Sequence, residues 1–316
     1  MSMRITNNMV SDRVISDLQS QYAQLANTQL QVSTGRRVNN PSEDPTAYSQ
    51  ERMQNSALAG IQASQTSVNS AQTWLNQSES SLDSINSIIA RAKDLATAAA
   101  NGSMSQDGRN STANEIDQLI KSVKDAMNTK VGNDYIFSGT RTDTAPYTDA
   151  TGDAYQGDAN AVVRSGGTGV TLQANPTFVD ASGASTPLTA GALLGGGSAS
   201  GDGKILNVLT QLAAHLRGGT TADIAAIGTT DLTALETNRV AVVSATQAIG
   251  AMGNRATAAT SRLQDMEDNA KNSIDDLTGV DMAQALTDYS TQSAAYQAAL
   301  KVGAQIIQPS LLQFLS

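Results

Sequence analysis

The residues best suited to chemistry in this 316-residue chain are few, and each is checked against what its chemistry requires. Gly203-Lys204 evokes a phosphate-binding loop, in which backbone N–H groups cradle phosphate and the lysine reaches it. That loop needs glycine at 198, where serine stands, and serine or threonine at 205, where isoleucine stands. What remains for GALLGGGSASGDG is a solvated, flexible link. His215 is the only histidine, and no serine or carboxylate accompanies it in a catalytic motif, so a structural role is expected. One histidine and no cysteine exclude a zinc hydrolase, an imidazole cluster, thiolate metal sites and disulfides. The acidic groups Asp265, Glu267, Asp268 and Asp275, Asp276 have helical spacing. They lack the glycine and closing glutamate of a calcium loop and read as a solvated helix face. No enzyme, cofactor or metal is expected from this inventory. Arg36 and Arg37 can bind an anion, but the expectation is hydrogen bonds to loop carbonyls or to Glu43 and Asp44, within the chain or on a neighbour.

These arginines stand in STGRRVNNPSEDPTAY, residues 33–48, which interrupts a helical pattern. Pro41 and Pro45 fix their own φ and bias the preceding residue away from the helix, so the stretch reads as a stiff loop. Asp44 is placed to cap a new helix with Pro45 in its first turn. Before this joint, Ile15, Leu18, Tyr22, Leu25 and Val32 recur at three-four spacing with Gln29 in the polar slot, a heptad seam. At the other end Met282, Leu286, Tyr289, Ser293, Tyr296, Leu300, Gly303 and Ile307 keep the same spacing until Pro309 is expected to stop them. Each seam predicts a helix of roughly 40 Å.

Between the seams, Ile61, Val68, Leu75, Leu82 and Ile89 predict a helix from about 45 to 100. Ile116, Leu119, Ile120, Val123 and Met127 predict a third, and Leu235, Val242, Ile249, Met252, Leu263 and Met266 a fourth from about 233 to 274. Three helices this long need one another and should pack lengthwise. Residues 140–203 lose helical periodicity, and the alternation around Val162, Val163, Val170 and Leu172 predicts a β-hairpin.

The expected fold is mainly α. Residues 1–40 and 278–316 form antiparallel coiled-coil rods, 41–139 and 204–277 a helical bundle, and 140–203 a small β-rich insertion. If residues 145–200 form an outward-facing domain, excising them with a short linker is expected to leave assembly largely intact, since neither rod nor bundle loses a seam residue. A net charge of −9 argues against nucleic acid or an anionic membrane as partner. MSMRITNNMVSDRV carries no apolar run of a secretory signal, and no stretch approaches the eighteen or so apolar residues of a membrane span, so general secretory export is not expected. A two-helix pair buries only one stripe. Tyr22, Tyr296 and the tail residues Leu311, Leu312, Phe314 and Leu315 add apolar surface beyond it, which asks for neighbours.

MRITNNMVSDRVISDLQSQYAQLANTQLQVSTGRRVNNPSEDP, VGNDYIFSGTRTDTAPY with AYQGD, and VDMAQALTDYSTQSAAYQAALKVGAQIIQPSLLQFLS resemble the flagellin superfamily, on its hook-associated junction branch. Filament flagellins are similar, but their joint reads like SSGLRINSAKDDAAG and their end like LSLLR. The resemblance implies an axial structural subunit of the bacterial flagellum. Such a subunit is exported unfolded by the type III route with a cytoplasmic flagellar export chaperone on its C-terminal region, and is then secreted and extracellular. It implies a ring of copies of itself between a neighbouring hook-associated junction protein and the first filament flagellin subunits. ARAKDLATAAANG is also similar to a bundle region that innate receptors read in some flagellins, with Arg91, Leu95 and Glu115 matching. The alternatives are filament flagellin itself and a coiled-coil scaffold unrelated to flagella.

Overall fold

A computed structural model describes residues 7–148, 153–167 and 169–314, with side chains described between 9 and 305. The chain forms two compact units. One comprises residues 1–60 and 266–316, the other residues 61–265. Helix α2 (Pro45–Ala100) and helix α7 (Leu232–Thr278) contribute to both.

In the first unit, α1 (Asn7–Thr34) packs along α8 (Met282–Phe314) in antiparallel sense. Gly35 ends α1 with φ +69°, a left-handed cap in which its N–H donates to the Gln31 carbonyl at 2.9 Å. Asp44 accepts from the Ala47 N–H at 3.0 Å and caps α2, with Pro45 as its first residue. Asp281 does the same for α8, accepting from Ala283 and Gln284 N–H groups. Pro309 does not stop α8, which continues to Phe314. The proline φ is itself helical, and what proline removes is one N–H donor and some room, not the helical backbone angle.

The second unit is built on α2, α3 (Gln106–Met127), α5 (Ile205–Gly218) and α7. The expected stripes are its core: Val68, Leu75, Leu82, Ile85 and Ile89 of α2, Ile116 and Val123 of α3, and Leu235, Val242 and Ile249 of α7 are all buried. Helix α5 was not among the expected long helices. Its Leu206, Leu209, Leu212 and Leu216 are buried and it packs along α3.

The middle of the chain holds three antiparallel two-stranded ribbons. β1 (Lys130–Val131) pairs with β2 (Asp134–Tyr135), and β3 (Val163–Ser165) with β4 (Thr171–Gln173). β5 (Thr177–Val179) pairs with β6 (Ser185–Pro187). The hairpin expected around Val163 and Leu172 is β3–β4, with Arg164 opposite Leu172.

Two expectations here are corrected. GALLGGGSASGDG is not a flexible link, because it contains the buried helix α4 (Ala190–Leu194), capped by the Thr189 hydroxyl. Lys204 is not a solvated linker residue either, since it pairs with Asp180 at 3.1 Å. Nor is the segment detachable. Phe178, Leu188, Ala190, Leu193 and Leu194 belong to the same core as the helices, and the Val179 N–H donates to the Ser244 hydroxyl of α7 at 3.1 Å. Removing the segment would open apolar faces of the helices to water.

Candidate assembly surface

The joint between α1 and α2 and the turn between α7 and α8 meet as an isolated antiparallel β-bridge, Arg36 opposite Gly279. The Arg37 N–H donates to the Thr278 carbonyl at 2.7 Å, and the Val280 N–H to the Gly35 carbonyl at 3.2 Å. Gly279 suits the turn that ends α7, because a Cβ there would lie 2.5 Å from the Asp275 carbonyl oxygen. The arginines work locally, as expected, with a change of partners. Arg37 donates to the Leu277 carbonyl at 2.9 Å and lies 3.8 Å from Asp44, whereas Arg36 pairs with the buried Glu51 rather than with Glu43 or Asp44. Glu43 instead accepts from the Asn39 and Asn40 N–H groups and the Asn40 amide. The Asn39 hydrogen bond is the main cause that holds its carboxyl below the usual range.

Beyond the joint, α1 and α8 touch through small and polar residues. Thr28, Ala285 and Gly303 are buried, and Leu18, Leu25, Val32, Tyr289 and Tyr296 are half-buried. The Thr28 hydroxyl donates to Gln292 Oε1 at 2.8 Å, and the rings of Tyr22 and Tyr296 lie 5.9 Å apart. A Cβ on Gly303 would come within 3.3 Å of a Val14 methyl and 3.4 Å of a Leu18 methyl, so these side chains pack over the bare Cα.

Several of the larger apolar residues stay largely open to water beside this contact. Ile15, Tyr22, Met282, Leu286 and Leu300 remain 42–60% exposed. On an α-helix, Ile15 and Tyr22 lie one residue, about 100°, round from Val14 and Gln21. Met282, Leu286 and Leu300 are turned the same way from Ala285 and Ala299. Because the helices are antiparallel, both displaced stripes emerge on one side of the pair. There Ile15, Leu18, Gln19, Tyr22, Tyr296 and Leu300 line an open groove of about 350 Å³. The side chains of Ile307, Leu311, Leu312, Phe314 and Leu315 lie outside the described residues.

Elsewhere the polar groups are spent on structure. His215 Nδ1 lies 2.7 Å from Asp231 Oδ2, a partner sixteen residues away that ends the π-helical turn Ile227–Asp231 and that no sequence motif announces. Arg91 Nε donates to Glu115 at 2.7 Å. Lys271 pairs with Glu267 within the acidic stretch of α7. Among the described residues no three histidines, aspartates or glutamates gather to hold a metal ion, and no helix is long and apolar enough to cross a membrane.

Residues 5–142 match the model of the bacterial flagellin N-terminal helical region, and residues 232–315 that of the C-terminal helical region, together well over half of the chain. Flagellar hook-associated protein 3 of Salmonella typhimurium is 33% identical over 167 residues, 51% of this chain and 51% of the relative. The chain thus spans about half the length of the curated relatives it matches. FlgL of Bacillus cereus has a similar fold, with TM-score 0.55 at 22% identity over 71% of this chain and 99% of that one. A flagellar junction protein from Legionella pneumophila gives TM-score 0.53 at 16% identity over 73% of this chain and 100% of that one. With both helical ends of the flagellin pattern matched and brought together as one antiparallel pair, the chain belongs to the bacterial flagellin family.

Proposed function

We propose that this chain is a structural subunit of the bacterial flagellum, an adaptor ring that joins the hook-associated junction to the filament and self-assembles through its terminal helices. The observation that carries the reading is the one-sided apolar face of the α1–α8 pair, on which Ile15, Tyr22, Met282, Leu286 and Leu300 face water. Burying such side chains is worth roughly 1.5–3 kcal/mol each. Neighbours that cover them therefore supply free energy which the pair alone does not have. Leu18, Leu25, Val32, Tyr289 and Tyr296 line the pair beside this face. Arg36 and Arg37 hold the joint from which it extends, and Ile307, Leu311, Leu312, Phe314 and Leu315 extend its sequence pattern. The partners are copies of the same chain in a ring, the neighbouring hook-associated junction protein on one side, and filament flagellin on the other. A cytoplasmic export chaperone holds the chain before type III export. The Salmonella and Legionella relatives, named for the hook-associated and junction positions, support this placement over the filament itself.

The test is to label the protein on isolated hook–filament structures and to complement a deletion strain with Tyr22→Ser, Leu286→Ser. Label confined to the hook tip is expected, together with filament subunits leaking into the medium from the variant strain. Label along the whole filament, or normal filaments from the variant, would overturn the proposal.

A further inference from the structure

We propose that Thr28 and Gln292 set the register of the terminal helix pair. Apolar contacts along a heptad seam are nondirectional, so they are nearly as good after one helix slides seven residues, roughly 10 Å, along the other. A directional bond between buried polar groups is not. Among the described residues of α1, Thr28 is the buried polar one, and its hydroxyl lies 2.8 Å from Gln292 Oε1 on α8 and 3.0 Å from the Gln24 carbonyl of its own helix. Sliding α8 by one heptad places Thr28 level with Ala285 or Ala299, neither of which offers a side-chain partner.

A specific rival register exists. Gln21 lies seven residues before Thr28, and its Oε1 is buried without a hydrogen-bond partner. In the slipped pair Gln292 comes level with Gln21, and its amide would satisfy that oxygen. Thr28 therefore arbitrates between two polar matches for one glutamine. Gly303 is level with Val14 and Leu18 in the same register, their methyl groups lying over its bare Cα. The Arg36–Gly279 bridge fastens the pair at the joint, eight residues from Thr28, and a slipped pair would have to break it, so Thr28 and Gln292 hold the register farther out along the helices. The inference concerns the pair within one chain and is read on the free protein, so its outcome is separate from that of the assembly role.

The chain has no cysteine, so introduced pairs report without background. Tyr22→Cys with Tyr296→Cys probes the observed register, and Tyr22→Cys with Tyr289→Cys the slipped one. On mild oxidation of the full chain, the first disulfide is expected in about tenfold higher yield. Adding Thr28→Val with Gln292→Leu is expected to bring the two yields within about threefold while circular dichroism shows the helices retained. Thr28→Ser keeps the hydroxyl and should keep the preference, as should the exchanged pair Thr28→Gln with Gln292→Thr. Equal yields in the otherwise unaltered chain, an undiminished preference in the apolar double variant, or loss of preference in both hydroxyl-retaining variants would each overturn the proposal.

Discussion

Asp158 shows how single residues hold the middle of the chain. Burial pushes its carboxyl up, but the Thr140 hydroxyl, the Thr140 N–H and the Asn160 N–H all donate to it and outweigh burial, holding it at about 2. Its folded pKa is below its unfolded one. The stability it contributes is therefore complete above about pH 4 and is lost as pH falls through 2. Asp158→Asn should cost about 1–3 kcal/mol near neutral pH and flatten the acid limb of a urea-unfolding series between about pH 4 and 2. An unchanged acid limb would show that the latch does not matter. Tyr155 behaves in the opposite sense. Burial is the main cause that raises its hydroxyl to about 12, and this hydroxyl donates toward the Phe137 and Asp158 carbonyls. Its contribution is whole below about pH 10 and is lost as pH rises through 12. Absorbance titration of tyrosinate should lose one tyrosine ionising near pH 12 in Tyr155→Phe, while the more deeply buried Tyr147, which burial also pushes up, stays late in both proteins.

Helix α5 carries more of the second unit than its length suggests. Leu209 and Leu212 are buried between its neighbours, and Leu209→Ala should destabilise this unit by about 2–5 kcal/mol, read as a lowered urea midpoint with unchanged slope. A loss under about 0.5 kcal/mol would mean that the helix is a passenger. The long helices were legible because their apolar positions repeat over many turns, and the cap Asp44-Pro45 marked the start of α2. Helix α5 was legible only as a short amphipathic stretch around His215 within the expected bundle, because a single run of fourteen residues does not fix the helix it packs on. The terminal seams were legible in period and partly in phase. Leu18, Leu25, Val32, Tyr289, Ser293, Tyr296 and Gly303 of the expected seams line the pair, whereas Ile15, Tyr22, Met282, Leu286 and Leu300 stay largely exposed beside it and Thr28 and Ala285, outside the expected seams, are buried. Two stripes one residue apart share a period, and only packing distinguishes the covered one. Asp231 beside His215 was illegible for another reason, since a π-helical turn brings it there.

Across the whole molecule the two units differ in what they bury. The second has a continuous core of large aliphatic side chains. Between α1 and α8 the buried residues are small, and antiparallel helices with so little covered are marginal in water. Amides before about residue 34 and after about residue 282 should therefore exchange hydrogen orders of magnitude faster in dilute solution than those of Ile61–Ile89, as mass spectrometry of proteolytic fragments would read. Protection of equal strength from end to end would contradict this. The Arg36–Gly279 bridge adds a direction to such opening. It gathers the two strands of the pair at their base, so the entropy of bringing distant parts of the chain together is spent there, and each further turn closes onto one already closed. The pair is a zip with its pin at the joint. It frays from the tips that carry Asn7 and Phe314, and it closes toward them.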